Sequence, residues 1–217
     1  MAPPPRQGEP TSGAGRLRER LEPALSALWY ERSPSCMRRL LRAAMAPLAA
    51  LTAAVAKRRR RVIRRLPPPA VPVVVVGNLV AGGAGKTPLV VALVEALVQR
   101  GWTPGIVASG YGARRSDARL VGADGDAVEH GDEPVLLARR TGRPVAAARE
   151  RARAVGALLA AHPEIDVVVS DDGLQHAGLA RSVEIAVFDE RGAGNARCLP
   201  AGPLRAPLSQ AASMDAI

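Results

Sequence analysis

Aromatic residues are almost missing from this chain: two Trp, two Tyr and one Phe in 217 residues. The core must then be filled by Ala, Val and Leu, and a protein that grips single-stranded nucleic acid by stacking bases on rings is disfavoured. Cysteine is as sparse. Cys36 and Cys198 build no disulfide framework, which fits a reduced, cytosolic setting. Among the 30 basic residues only Lys57 and Lys86 are lysines. Acids are absent between Ser33 and Arg65, a stretch holding ten basic residues. No run of about 20 apolar residues occurs, so a conventional membrane-spanning helix is not expected.

What is present is a hydrophobic fraction of 47% and a net charge of +10. The charge calls for an anionic partner: nucleic acid, a membrane surface or a phosphorylated substrate. Residues 1–15 are rich in Pro, Gly and Ser and are expected to form a disordered tail. Arg16 to Tyr30 reads as a short amphipathic helix. The apolar stretch "AAMAPLAALTAAVA" (Ala43–Ala56) is followed at once by "KRRRR". Fourteen such residues make a helix of about 21 Å, too short for a hydrocarbon core of about 30 Å. Lying in the interface with its polybasic flank is the better fit, so residues 16–66 are read as a basic, amphipathic, membrane-associated segment. Packing on its own domain and an Arg-rich nucleic-acid contact are the alternatives; no nucleic-acid partner is expected.

Beyond "LPPPAVP" the pattern changes to strands alternating with helices. "PVVVVGN", Pro104–Ser109, Ile165–Asp172 and Val183–Asp189 read as strands, with a "GYG" turn (Gly110–Gly112) after the second. Thr87–Arg100, 133–141 and 148–161 read as helices. That order implies an α/β fold whose mostly parallel sheet is flanked by helices, over residues 67–217.

One lysine falls inside a glycine cluster. "GNLVAGGAGKT" (Gly77–Thr87) follows a buried strand and opens a helix, the setting of a phosphate-binding loop of P-loop NTPase type. Backbone N–H groups of Gly82, Gly83, Ala84 and Gly85 would hold phosphate oxygens, Lys86 would reach the β- and γ-phosphates, and the Thr87 hydroxyl would meet Mg²⁺. The usual first glycine is replaced by Val80. Such a site needs an acid near the metal, and the strand Ile165–Asp172 delivers Asp171 and Asp172 at its carboxyl end. In "GDEP", Asp132 reads by itself as a helix cap with Glu133 in the first turn. His176 is the histidine next to the acidic pair.

Four blocks taken together resemble the tetraacyldisaccharide 4′-kinase family: "VPVVVVGNLVAGGAGKTPLV", "GDEPVLLARRTGRPVA", "VVVSDDGLQHAGLARSVEIAVFD" and "LPAGPLR". The "LWYERSP" stretch and the basic apolar segment after it are similar to the family's amino-terminal membrane-associated region. The family's phosphate loop also lacks the first glycine. The resemblance implies transfer of the ATP γ-phosphate to the 4′-hydroxyl of a tetraacyldisaccharide 1-phosphate in lipid A biosynthesis. It places that reaction on an anionic membrane surface at the cytoplasmic face of the bacterial inner membrane, with ATP and Mg²⁺ as cofactors. It implies that Asp132 is the base, that Thr87, Glu133 and Asp171 lie at the metal, and that Asp172 completes the acidic pair. Gln175 and His176 would lie beside the nucleotide, and Arg151 near the phosphates.

The chain departs from the family pattern in Ala108-Ser109 before "GYG" (for Ser-Arg), in "GNA" (Gly194–Ala196, for Gly-Asn-Gly) and in Ala206 (for Glu). The resemblance also implies a second carboxyl-terminal lobe that this sequence does not contain. A remnant that binds nucleotide or membrane without turnover is therefore an alternative for these 217 residues, as is a P-loop switch ATPase.

Overall fold

The computed structural model describes residues 13–31, 33–83, 85–110 and 117–217. Ala84, residues 1–12 of the expected tail and residues 111–112 of the "GYG" turn lie outside them. Helix α1 (Gly13–Tyr30) already begins at Gly13, so the last three residues of the expected tail are helical.

Val73–Asn78 forms β1, and Val73, Val75 and Val76 are buried because the strand has neighbours on both edges and helices on both faces. It pairs in parallel with β5 (Val167–Asp171) on one side and β6 (Val183–Val187) on the other. β5 pairs in parallel with β2 (Pro104–Ala108), and β2 with β4 (Val145–Ala147). A short antiparallel strand, β3 (Arg119–Val121), closes that edge and gives the order β3-β4-β2-β5-β1-β6. One face packs Val73, Val75, Val107 and Val168 against Ala154 and Leu158 of α7 (Arg151–Ala161). The other packs Val76, Ile106 and Val169 against Val90 and Val94 of α4 (Lys86–Gln99) and Val135 of α6 (Asp132–Thr141). A one-turn helix, α5 (Ala127–His130), precedes α6.

The four strands read from the sequence are present; β3 and β4 were not foreseen. Three residues are too few for a periodicity to register. β4 lies in an Ala-rich stretch whose propensity favours helix, and its pairing with β2 overrides that preference. Helix α7 accordingly starts at Arg151 rather than at residue 148.

The basic apolar segment is two helices rather than one. α2 (Cys36–Ala44) and α3 (Ala46–Ile63) are bent by 49°. Pro47 sits in the first turn of α3, where a missing N–H and a fixed φ are tolerated but continuation from the preceding helix is not. Ala49, Ala56 and Ile63, seven residues apart, form the buried stripe of α3; Ala49 and Ala56 pack with Leu79, Val80, Ala201 and Leu204. The "KRRRR" run lies within α3. Arg60 reaches the buried Glu184 of β6, and Arg181 joins the same carboxylate oxygen at 3.2 Å. A charge buried this deeply persists when it is paired and hydrogen-bonded. Met37 and Leu40 of α2 and Leu48, Leu51, Val55 and Val62 of α3 stay exposed. Among the described residues no single helix is long and apolar enough to cross a membrane; α2 and α3 together have the length and composition, but bent.

The "GNA" turn has a local cost. Ala196 adopts φ 57°, in the left-handed region that a Cβ disfavours. Replacing Ala196 with Gly is expected to raise unfolding stability by about 0.5–1 kcal/mol, read as a shifted midpoint in urea at unchanged slope.

Candidate functional site

The site lies where β1, β5 and β6 end. Gly77 must lack a side chain, because a Cβ there would come within 2.7 Å of Leu174 Cγ. After β1 the backbone pairs with a distant segment: Ala81 N–H donates to Pro203 O at 2.8 Å and Arg205 N–H to Leu79 O at 2.7 Å. Val80 bridges Leu204 between them and is fully buried. The first position of the loop is thus a packing position, which explains why a valine stands there. The "LPAGPLR" block is the wall against which the loop is built.

The phosphate-loop glycines follow. Gly82 and Gly83 are exposed, and Gly82 O accepts a 3.0 Å hydrogen bond from Asn78 Nδ2. Gly85 is the N-cap of α4 in a left-handed conformation (φ 69°), and no described side chain caps the helix. Its first N–H groups and the positive end of its dipole therefore face outward. Lys86 is the first helical residue, with Nζ 3.7 Å from Asp172 Oδ1. Thr87 Oγ1 lies 3.3 Å from Asp171 Oδ2.

Asp171 is fully buried at the end of β5, and its Oδ1 has no partner among the described residues. Burial first, then the nearby negative charge of Glu133, raises its pKa to about 6; Lys86 pulls the other way and Asp172 adds to the rise. Glu133, in the first turn of α6, accepts a 3.1 Å hydrogen bond from Ser109 Oγ. Asp172 turns at φ 49° and faces both Lys86 and Arg205, whose Nη1 is 3.3 Å away. Arg151 opens α7 and is buried beneath the acids. It donates to Ala148 O at 2.8 Å and Asp171 O at 3.2 Å, while its Nε lacks a partner among the described residues. Burial lowers its pKa, and Asp172, Asp171 and Glu133 oppose that shift. The pKa of His176 falls to about 4, chiefly through burial and then through Arg151, so the ring is neutral at physiological pH.

Lys86, Thr87, Glu133, Arg151, Asp171, Asp172 and His176 are therefore brought into one electrostatic neighbourhood. Asp132 is exposed at the first position of α6 and has no side-chain partner among the described residues. It is not the cap: Gly131 is, with φ 88°, because that backbone is open to glycine and strained for Asp. Gln175 lines a crevice against α3 with Ala56, Arg59 and Ile63. Three further participants escaped the site reading from sequence: Arg205, Asn78 and Arg191, whose Nη2 donates to Gly83 O at 3.2 Å. Arg205 stood in a quoted block. For Arg191 the sequence carries no signal, since 108 residues separate it from the loop it touches.

A family model described as tetraacyldisaccharide-1-P 4′-kinase (LpxK) matches residues 41–217. The tetraacyldisaccharide 4′-kinase of Bordetella parapertussis is 52% identical over 200 residues, covering 85% of this chain and 58% of the relative. That of Dechloromonas aromatica is 58% identical over 142 residues, covering 65% and 43%. A crystal structure of LpxK from Aquifex aeolicus in complex with ATP superposes with a TM-score of 0.70 at 29% identity, over 81% of this chain and 57% of that one. The chain thus spans between 43% and 58% of the length of these relatives.

The raised pKa of Asp171 has a thermodynamic consequence with a definite sign. Below about pH 4 the carboxyl is protonated in the folded and unfolded chain alike, and its burial brings no ionic penalty. Between pH 4 and 6 the unfolded chain ionises first, so the fold loses stability by an amount approaching about 3 kcal/mol. Asp171→Asn is expected to be more stable than the parent at pH 8 and to match it near pH 4, measured by urea unfolding across that range.

Proposed function

The chain belongs to the tetraacyldisaccharide-1-P 4′-kinase family, and on that premise we propose that it transfers the γ-phosphate of ATP to the 4′-hydroxyl of a tetraacyldisaccharide 1-phosphate, a step in lipid A biosynthesis. The observation that carries this reading is the meeting of loop and acid: Thr87 beside Asp171, and Lys86 beside Asp172, at the open end of the sheet.

The residues also fit a divalent cation. Asp171 has a buried oxygen without a partner among the described residues and a pKa raised partly by neighbouring carboxylates, so positive charge is wanted there. Thr87, Asp171 and Glu133 would hold Mg²⁺, which would supply positive charge to offset that of the ATP phosphates. Among the described residues no set of three His, Cys, Asp or Glu is gathered for a metal. That is in keeping with an ion that takes one or two carboxylates and completes its shell with phosphate and water.

The chain's own groups do the positioning. The loop amides from Gly82 to Gly85 and the start of α4 hold the phosphates, and Lys86 moves from Asp172 toward the transferring group. Arg151 keeps its charge beneath the acids and limits their mutual repulsion. Asp132 accepts the proton of the sugar hydroxyl as that oxygen bonds to the γ-phosphorus and the bond to ADP breaks. Its exposed side chain beside Glu133, without a partner among the described residues, supports that role. Gln175 and His176 border the nucleotide, and the neutral ring of His176 offers a hydrogen bond without adding charge.

The exposed apolar flank of α2 and α3, with cations around it, supports seating on an anionic membrane surface at the cytoplasmic face of the bacterial inner membrane. Leu51→Glu combined with Val55→Glu is expected to leave the fold intact and weaken sedimentation with phosphatidylglycerol vesicles by about tenfold or more. Unchanged sedimentation would remove the membrane reading.

The kinase reading is tested with labelled ATP, Mg²⁺ and tetraacyldisaccharide 1-phosphate in detergent micelles. Label is expected in the lipid, lost by Lys86→Ala and reduced at least about a hundredfold by Asp132→Asn. Lipid-independent release of phosphate would instead identify a switch ATPase, and bound ATP without transfer a non-catalytic nucleotide binder.

A further inference from the structure

The phosphate loop is held from outside by two side chains that come from different strand ends. Asn78, the last residue of β1, is fully buried. Its Nδ2 donates to Gly82 O at 3.0 Å, while its Oδ1 is buried without a partner among the described residues. The bond to Gly82 is thus what the Asn78 side chain makes at the loop, kept at the expense of an idle buried acceptor.

Arg191 follows β6. Its guanidinium is pinned by Asp189, with Nε 3.0 Å and Nη2 2.5 Å from Oδ2, and it lies 5.4 Å over the Tyr30 ring. Asp189 Oδ1 also accepts the Arg191 backbone N–H at 3.0 Å. From this fixed position Nη2 donates to Gly83 O at 3.2 Å. Two consecutive loop carbonyls, on residues that have no side chains of their own to steady them, are therefore each tied to a separate donor.

A planar trans peptide sends its N–H and C=O in opposite directions. Fixing the Gly82 carbonyl toward Asn78 turns the Gly83 N–H away from it, and an exposed glycine pair would otherwise sample many orientations. A phosphate bound by such a loop must first freeze it, and that entropy is subtracted from affinity. We propose that Asn78 and Arg191 are positioning residues that pre-set the Gly82-Gly83 backbone for phosphate, so that their contribution is felt by the β- and γ-phosphates and not by the nucleoside. This rests on the loop being a nucleotide site, as in the proposed function.

The test is calorimetric titration of the whole chain with ATP, ADP and AMP, in Mg²⁺ buffer. Arg191→Ala changes a partly exposed side chain and is the variant least liable to disturb folding; Asn78→Ala tests the buried donor, and the double variant tests both. Each single change is expected to weaken ATP by about tenfold, the worth of one hydrogen bond, and the double change by up to about a hundredfold. AMP, which lacks the outer phosphates, should change by less than about twofold, since a local hydrogen bond to the loop does not reach the base. Arg191→Lys, which retains a donor and its charge, should recover part of the ATP affinity. Equal losses for ATP and AMP, or ATP affinity unchanged in the double variant, would overturn the inference while leaving the nucleotide site standing. A parent chain that binds no ATP would remove both.

Discussion

Everything at the site depends on the double-sided burial of β1. A strand with a parallel neighbour on each edge and helices on each face has one way out, at its carboxyl end. There the loop Leu79–Thr87 emerges beside the ends of β5 and β6. Parallel pairing then fixes which residues meet. Val76 is in register with Asp171, so the acid of one strand and the loop of the next share an edge without any contact having been specified between them. The same register carries the backbone toward Asp172, Leu174 and His176, and it explains why Gly77 leaves room for Leu174.

The second constraint is the pairing of Leu79–Ala81 with Pro203–Arg205. It converts the front of the phosphate loop from a free glycine turn into a short bridged ladder with Val80 and Leu204 in the core. Its rear remains glycine-rich and exposed, steadied by Asn78 and Arg191. The arrangement divides the labour within nine residues: the front supplies rigidity through burial, and the rear supplies open amides. The same ladder brings Arg205 to Asp172, which leaves that carboxylate between two cations while Asp171, one residue earlier, is left short of positive charge. Neighbouring acids with opposed environments commonly mark a site where charge is to be received.

Helix α3 links this framework to the exposed apolar surface. Its buried stripe contributes to the core behind Val80, and Arg60 ties it to Glu184, which Arg181 also holds. Arg181 in turn donates to the carbonyls of Leu174, His176 and Leu179, the loop that follows the acidic pair. The segment read from the sequence as membrane-associated is thus built into the domain along one stripe, while its leucines on another face water. A single 18-residue helix has surface enough for both.

Patterns short enough to lie within one element were legible in the sequence: the buried valine run of β1, the glycine cluster opening α4, the acid pair ending β5, and the alternation that implies a parallel sheet. Each follows from local physics, since burial on both faces demands continuous apolar residues and a phosphate cradle demands glycines at a helix start. The break at Pro47 and the exclusion of Asp132 from the cap were also local, but they turned on which of two competing backbone preferences prevailed. Only the tertiary structure decided the strand character of "VAA" in β4, the reason for Val80, the placing of Glu133 near Asp171 and the reach of Arg191 to Gly83. In each of these the deciding partner lies far along the chain, and neither propensity nor periodicity carries information about a neighbour that only folding supplies.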